Sequence, residues 1–234
     1  MYQYSDRVSY SEVDSQLNLT YYGLVNYMQD CSCFHSDDVG VGVHYLAPRD
    51  RGWFVTNYEI HINRRPKYLE HITIKTYPYQ VRGMMARRLY TIETKEGEVL
   101  MYADSLWVLM DLKNNRPARL DEKIVAAYPP DADMPSFTFN RSKLRYNEAN
   151  PGEKVGTFTV NENYIDTNGH MNNSFYIDVT RRYLPKETFS EINVNYKKPA
   201  LLFDELDVYL VELESGYQVV LKKDDEVYTI VEYR

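Results

Sequence analysis

Apolar side chains recur at helical spacing in two places along this chain of 234 residues, and strands follow each time. Leu24, Met28, Cys31 and Phe34 fall on one face of a helix, which Thr20 can cap and Gly40 can end. Phe175, Val179 and Tyr183 trace a second helical face; Asn172 or Asn173 can cap it and Pro185 stops it. The period then changes from helical to two. Tyr58, Ile60 and Ile62 alternate with polar neighbours, as do Ile192, Val194 and Tyr196, the pattern of half-buried strands. Each run meets a basic pair plus proline, Arg64-Arg65-Pro66 and Lys197-Lys198-Pro199. Each then enters a further strand through an acidic residue, at Glu70 and at Asp204. Hairpin turns at Lys95–Val99 and Lys223–Val227 complete both series, with a strand from Ser105 to Met110 beyond the first turn.

The chain is therefore read as an internal repeat. Val13-Asp14-Ser15-Gln16-Leu17-Asn18-Leu19 opens one copy and Ile165-Asp166-Thr167-Asn168-Gly169-His170-Met171 opens the other. Each copy is a polar stretch, a helix and several antiparallel strands, which predicts an α+β unit with a helix packed on a curled sheet. The expected division is 1–115, a connector over 116–156, and 157–234. Prolines 117, 129, 130, 135 and 151 crowd the connector, with a short helix expected over Leu120–Ala127.

Composition narrows the function. A formal net charge of -7 argues against a general nucleic-acid binder, which needs surplus Lys and Arg to neutralise phosphates. The 23 tyrosines favour strands and half-buried surfaces. Two cysteines, Cys31 and Cys33, stand two apart and make no disulfide framework. Joined to His35 and Asp37 they would be a metal cluster, but alternate residues of a helix point to nearly opposite faces. The opening residues lack a basic stretch followed by an apolar one, and no apolar run reaches membrane-spanning length, so a soluble cytoplasmic protein is expected.

The densest polar chemistry lies at Asp166 to Asn173, just before the second helix. Asp166 can act as base or nucleophile, the Asn168 amide can donate to an oxyanion, and the His170 imidazole can orient or activate water. Gly169 allows a tight turn, and a helix N-terminus adds unpaired N–H groups that can stabilise negative charge. The same residues also suit a plain capped turn. In the first copy Gln16 and Asn18 replace Asn168 and His170, so that copy keeps the fold and loses the imidazole. No Gly-x-Ser-x-Gly elbow and no glycine-rich phosphate loop occurs.

Asp166-Thr167-Asn168-Gly169-His170-Met171-Asn172-Asn173 resembles the Asp-x-Asn-x-His-Val-Asn-Asn motif of the acyl-acyl carrier protein thioesterases. Ala103-Asp104-Ser105-Leu106-Trp107-Val108-Leu109-Met110-Asp111 is similar to that family's Ala-x-Ser-x-Trp-Val-x-Met-Asn strand, and Gly83 with Arg87-Arg88 to another of its elements. The resemblance implies two tandem hot-dog domains, hydrolysis of a fatty acyl thioester of acyl carrier protein, and no metal or organic cofactor. It implies Asp166, Asn168 and His170 as the catalytic set. Plant members carry a further catalytic Glu in a Tyr-Arg-Arg-Glu-Cys stretch; here Tyr196-Lys197-Lys198-Pro199-Ala200 puts Pro199 at that place.

An acidic carrier protein calls for a basic surface, for which Arg181, Arg182, Lys197 and Lys198 are candidates, together with Arg64-Arg65 and Arg87-Arg88. Trp107, Met84, Met85 and Tyr27 are candidates to line an acyl slot. The competing readings are a hot-dog acyl-coenzyme A thioesterase, a hot-dog dehydratase, which would need a His opposite an acid in the other half, and a non-catalytic acyl-binding protein. Monomer and homodimer are both allowed.

Overall fold

The computed structural model describes residues 1–185 and 188–234. The chain forms two compact units, Met1–Thr56 with Ile60–Phe139, and Asn57–Glu59 with Asn140–Arg234. The first holds β1 (Tyr2–Arg7), α1 (Tyr21–Asp38), α2 (Val43–Leu46), most of β2 (Arg51–Ile62), β3 (His71–Arg82), β4 (Met85–Thr94), β5 (Val99–Asp111), β6 (Arg116–Pro117) and α3 (Glu122–Ala127). The second holds β7 (Glu153–Thr159), α4 (Asn173–Arg181), β8 (Glu191–Tyr196), β9 (Glu205–Glu212), β10 (Tyr217–Lys223) and β11 (Glu226–Tyr233).

Strand order runs β1-β3-β4-β5-β2 in the first unit and β7-β9-β10-β11-β8 in the second. The two orders are the same path, which is the repeat expressed as topology. The β3–β4, β4–β5, β9–β10 and β10–β11 pairs are antiparallel. β1 and β7 carry too little apolar alternation to be read as strands; pairing with β3 and β9 makes them so. β7 begins inside the proline-rich segment, whose earlier part contributes β6 on β5 and the α3 helix. Asp121 caps α3 through a bond from Ile124 N. Ile124 then packs with Val41, Leu46, Leu109, Ala118 and Tyr128 in one core cluster of the first unit.

Both long helices start where the side chains dictate. Thr20 Oγ1 accepts from Gly23 N, and Asn172 Oδ1, not Asn173, accepts from Ser174 N. The buried faces differ from the expected ones. In α1, Leu24, Met28 and Cys31 are buried, but Phe34 is 46% exposed and His35 only 7%. Phe34 lies edge-on to Tyr4, while His35 stacks on Tyr2. In α4 the buried side chains are Ser174, Tyr176, Ile177, Val179 and Thr180; Phe175 is half-buried against Tyr164, and Tyr183 lies past the helix end. Thr180 bonds the Tyr233 hydroxyl, and that polar pair draws the face round towards β11. Among the described residues, no helix is long and apolar enough to cross a membrane.

Candidate active site

The turn from Asp166 to His170 is built by its own first residue. Ile165 and Met171 form an isolated β-bridge that closes the loop. Asp166 N donates to His170 O at 2.8 Å and Gly169 N to Asp166 O at 3.0 Å. Asp166 Oδ1 accepts from Asn168 N at 2.8 Å and from His170 N at 3.3 Å. Gly169 sits at φ +77°, the left-handed region in which a side chain is strained. Sequence proximity becomes spatial convergence here: one carboxylate gathers the amide and the imidazole residues around itself. Asp166 and His170 are half-buried and Asn168 is exposed.

Three further contacts fix the turn to the second unit. Met171 N donates to Ala200 O, Asn172 N donates to Tyr164 O, and the Tyr176 hydroxyl accepts from Ala200 N at 2.9 Å. Burial, with the charges of Asp166 and Asp204 adding to it, holds the Tyr176 hydroxyl well above the usual phenol range, so it stays protonated. Neither Tyr176 nor Ala200 was legible as part of the site, because one is an ordinary aromatic on a helix and the other a small residue after a proline. The helix N-terminus serves less than expected as an oxyanion donor. Ser174 N is taken by the Asn172 side chain and Phe175 N by the Asn172 carbonyl. The Asn168 side-chain amide, by contrast, makes a long 3.4 Å bond to Asp166 Oδ2.

The first unit contains the same turn. Asp14 N donates to Asn18 O at 2.9 Å, Leu17 N to Asp14 O at 2.9 Å, and Asp14 Oδ1 accepts from Gln16 N and Asn18 N at 2.9 and 3.1 Å. Leu17 takes the left-handed place of Gly169, at φ +61°. The basic-pair alignment requires a correction by one residue. Asn63 N and Arg64 N share Leu100 O as Lys197 N and Lys198 N share Tyr228 O. Leu19 N donates to Pro66 O as Met171 N donates to Ala200 O. Arg64 therefore matches Lys198, and Arg65 matches Pro199.

The basic candidates divide. Arg64 pairs with Glu70 and Glu98, Arg65 with Asp14, and Arg87 with Asp104, while Arg88 is buried against His35, Thr76 and Ser36. Arg65, Arg87 and Arg88 are thus engaged as internal supports, whereas Arg64 keeps 40% of its side chain exposed. Arg182 pairs with Asp178 and Lys198 with Glu226. Arg181 lies over the Phe189 ring and donates to Leu184 O. Lys197 is exposed; partial desolvation and then Lys143 hold its amine below the usual lysine value.

The acyl-slot candidates also divide. Trp107 and Tyr27 are buried, Trp107 donating to Ser105 Oγ at 2.7 Å and Tyr27 to Glu12 at 2.7 Å. Met84 and Met85 are exposed, 42% and 48%, at the tip of the β3–β4 hairpin. A cleft of about 330 Å³ lined by Phe189, Leu213, Tyr217 and Arg234 shares no residue with the Asp166–His170 turn. Cys31 is buried and donates to Ile74 O, whereas Cys33 is exposed, so the two thiols point apart.

The family model for the acyl-ACP thioesterase N-terminal domain matches residues 1–128, and that for the C-terminal domain matches residues 147–230. The chain belongs to the acyl-ACP thioesterase family. A chloroplastic acyl-[acyl-carrier-protein] hydrolase of Cuphea viscosissima is 27% identical over 71% of this chain and 42% of its own length. A chloroplastic dodecanoyl-[acyl-carrier-protein] hydrolase of Cinnamomum camphora is 21% identical over 92% of this chain and 64% of its own. The chain spans less than half the length of the first curated relatives it matches, 42% and 45%. Among solved structures, an acyl-ACP thioesterase of Bacteroides thetaiotaomicron is 25% identical with a TM-score of 0.86, covering 99% of this chain and 96% of that one. A 12:0-ACP thioesterase of Umbellularia californica, 18% identical, also gives 0.86 and covers 100% and 96%. The fold of this family member is thus the tandem α+β hot-dog arrangement, the two units repeating one topology.

Proposed function

We propose that this thioesterase-family protein hydrolyses the thioester of a fatty acyl chain carried on acyl carrier protein, releasing the free fatty acid and the carrier thiol. The observation that supports this most is the Asp166-centred turn, which gathers Asn168 and His170 within a chain matched in order by both family domains. In the reaction a water oxygen bonds to the carbonyl carbon and the carbonyl electron pair moves onto oxygen. Collapse of that adduct breaks the C–S bond, and the departing thiolate takes a proton. His170 and Asp166 position the water and accept its proton, and the Asn168 amide donates to the oxyanion. The first unit, whose turn has no imidazole, is assigned to the acyl chain. Exposed Lys197, near Lys143, is the basic group best placed for an acidic carrier.

The test is release of fatty acid from a panel of acyl carrier protein thioesters by the native protein and by His170→Ala. The expected result is turnover by the native protein, falling by about a factor of 100 or more in the variant with folding intact. Survival of full turnover would move the chemistry away from this turn. Turnover confined to coenzyme A thioesters would replace the carrier substrate, and binding without turnover would make this a binding protein.

A further inference from the structure

The two turns match bond for bond at one carboxylate oxygen and part company at the other. Asp14 Oδ2 is held at 2.8 Å by Arg65 Nη1, which also donates to Leu19 O at 3.2 Å. Arg65 lies over the Tyr21 ring as well, so its guanidinium is fixed in place. Hydrogen bonds from Asn18 N, Arg65 and Gln16 N outweigh burial and hold the Asp14 carboxyl below its usual value. Asp166 Oδ2 meets the Asn168 amide at 3.4 Å and enters no ion pair among the described residues. The residue matching Arg65 in hydrogen-bond register is Pro199, which carries neither donor nor charge. The lysine beside it, Lys198, is engaged with Glu226. The first unit thus shows the locked form of this turn, and the second shows the open one.

We propose that Pro199 is a positioning residue that keeps the second carboxylate oxygen of Asp166 clear of any side-chain cation, so that the oxygen faces the water and thioester, and that arginine at this place would restore the locked form. This rests on the functional reading above, since it gives the freed oxygen a role in hydrolysis. It also gives a physical reason why the second unit and not the first is assigned the chemistry: the same turn with a guanidinium on Oδ2 has its lone pairs already spent. Beside Asp166 lie His170, whose backbone N–H donates to Oδ1, and Tyr176 on α4, whose hydroxyl feels both Asp166 and Asp204.

The comparison to make is between Pro199→Arg and Pro199→Met, which matches much of the reach without charge. Carboxyl carbon NMR titration, with the Asp166 signal assigned from Asp166→Asn, reads the clamp directly and needs no turnover. The arginine variant is expected to titrate Asp166 at least about one pH unit below the methionine variant. Its kcat on an acyl carrier protein thioester should fall at least about tenfold below that of the methionine variant, with KM little changed. Equal titration in the two variants would overturn the clamp. A lowered titration with unchanged kcat would overturn the role given to the oxygen. If Pro199→Arg does not fold, Pro199→Lys replaces it. Arg65→Met, which should raise the Asp14 titration, reads the same clamp in reverse; an unmoved Asp14 would count against it. Full turnover by Asp166→Asn would sink the functional reading, and the NMR comparison would still decide the clamp.

Discussion

Acidification should destabilise the first unit through one side chain, His35. It is buried on α1, stacked on Tyr2 with centroids 5.2 Å apart and edge-on to Tyr128, with Arg88 Nη1 at 3.2 Å from its Nδ1. Burial first, then repulsion by the Arg88 guanidinium, lowers its pKa from an ordinary 6.5 to about 4. The folded state therefore favours the neutral imidazole. The unfolded chain takes up a proton below about pH 6.5, and the folded protein does so only near pH 4, so stability is lost as pH falls through that window. At about pH 5 the linkage amounts to roughly 2 kcal/mol, reduced to about 1–2 kcal/mol once partial screening is allowed for. Carboxylates titrate nearby, so the quantity to measure is the gap between the native protein and His35→Gln, which keeps an acceptor for Arg88 and removes the titration. Urea unfolding at about pH 7.5 and about pH 5 gives that gap twice. It should shift by about 1–2 kcal/mol against the native protein at the lower pH. A gap that is the same at both values would refute the assignment of a buried neutral imidazole.

Tyr176→Phe should cost about 1–2 kcal/mol in urea unfolding, because it strands the Ala200 N–H in a fully buried place, and kcat should fall with it since Ala200 also anchors Met171. Gly169→Ala should cost about 1 kcal/mol by thermal melting and still fold: the strain at φ +77° is conformational, nothing lies within 4 Å of an added Cβ, and Leu17 adopts the same conformation in the first unit. Lys197→Glu should raise KM for an acyl carrier protein thioester by about fivefold at low salt and leave a coenzyme A thioester unchanged; equal effects on both would remove the lysine from carrier docking.

Local chemistry was legible in the sequence. Thr20 and Gly40 bound α1, Asp166 organises a turn from residues within four of itself, and the hairpins fall at Gly97 and Asp224, all by interactions between neighbours in the chain. The repeat was legible too, since one pattern written twice folds into one strand order twice. Three matters were decided by the tertiary structure. His35 turned inward and Phe34 outward, because Arg88, Ser36 and Tyr128 supply a polar interior that hydrophobicity alone does not anticipate. Arg65, Arg87 and Arg88 became internal supports, since their partners come from other segments, as with Arg65 and Asp14, 51 positions apart. The match of Arg65 to Pro199, one residue off the alignment of the basic-basic-proline triplets, was decided by backbone bonds such as Met171 N to Ala200 O. The strand alternation of Tyr58, Ile60 and Ile62 against Ile192, Val194 and Tyr196 fits that register while the basic-basic-proline triplet favours the other, and the folded ladder decides, because a one-residue slip would turn every side chain of the strand to the opposite face.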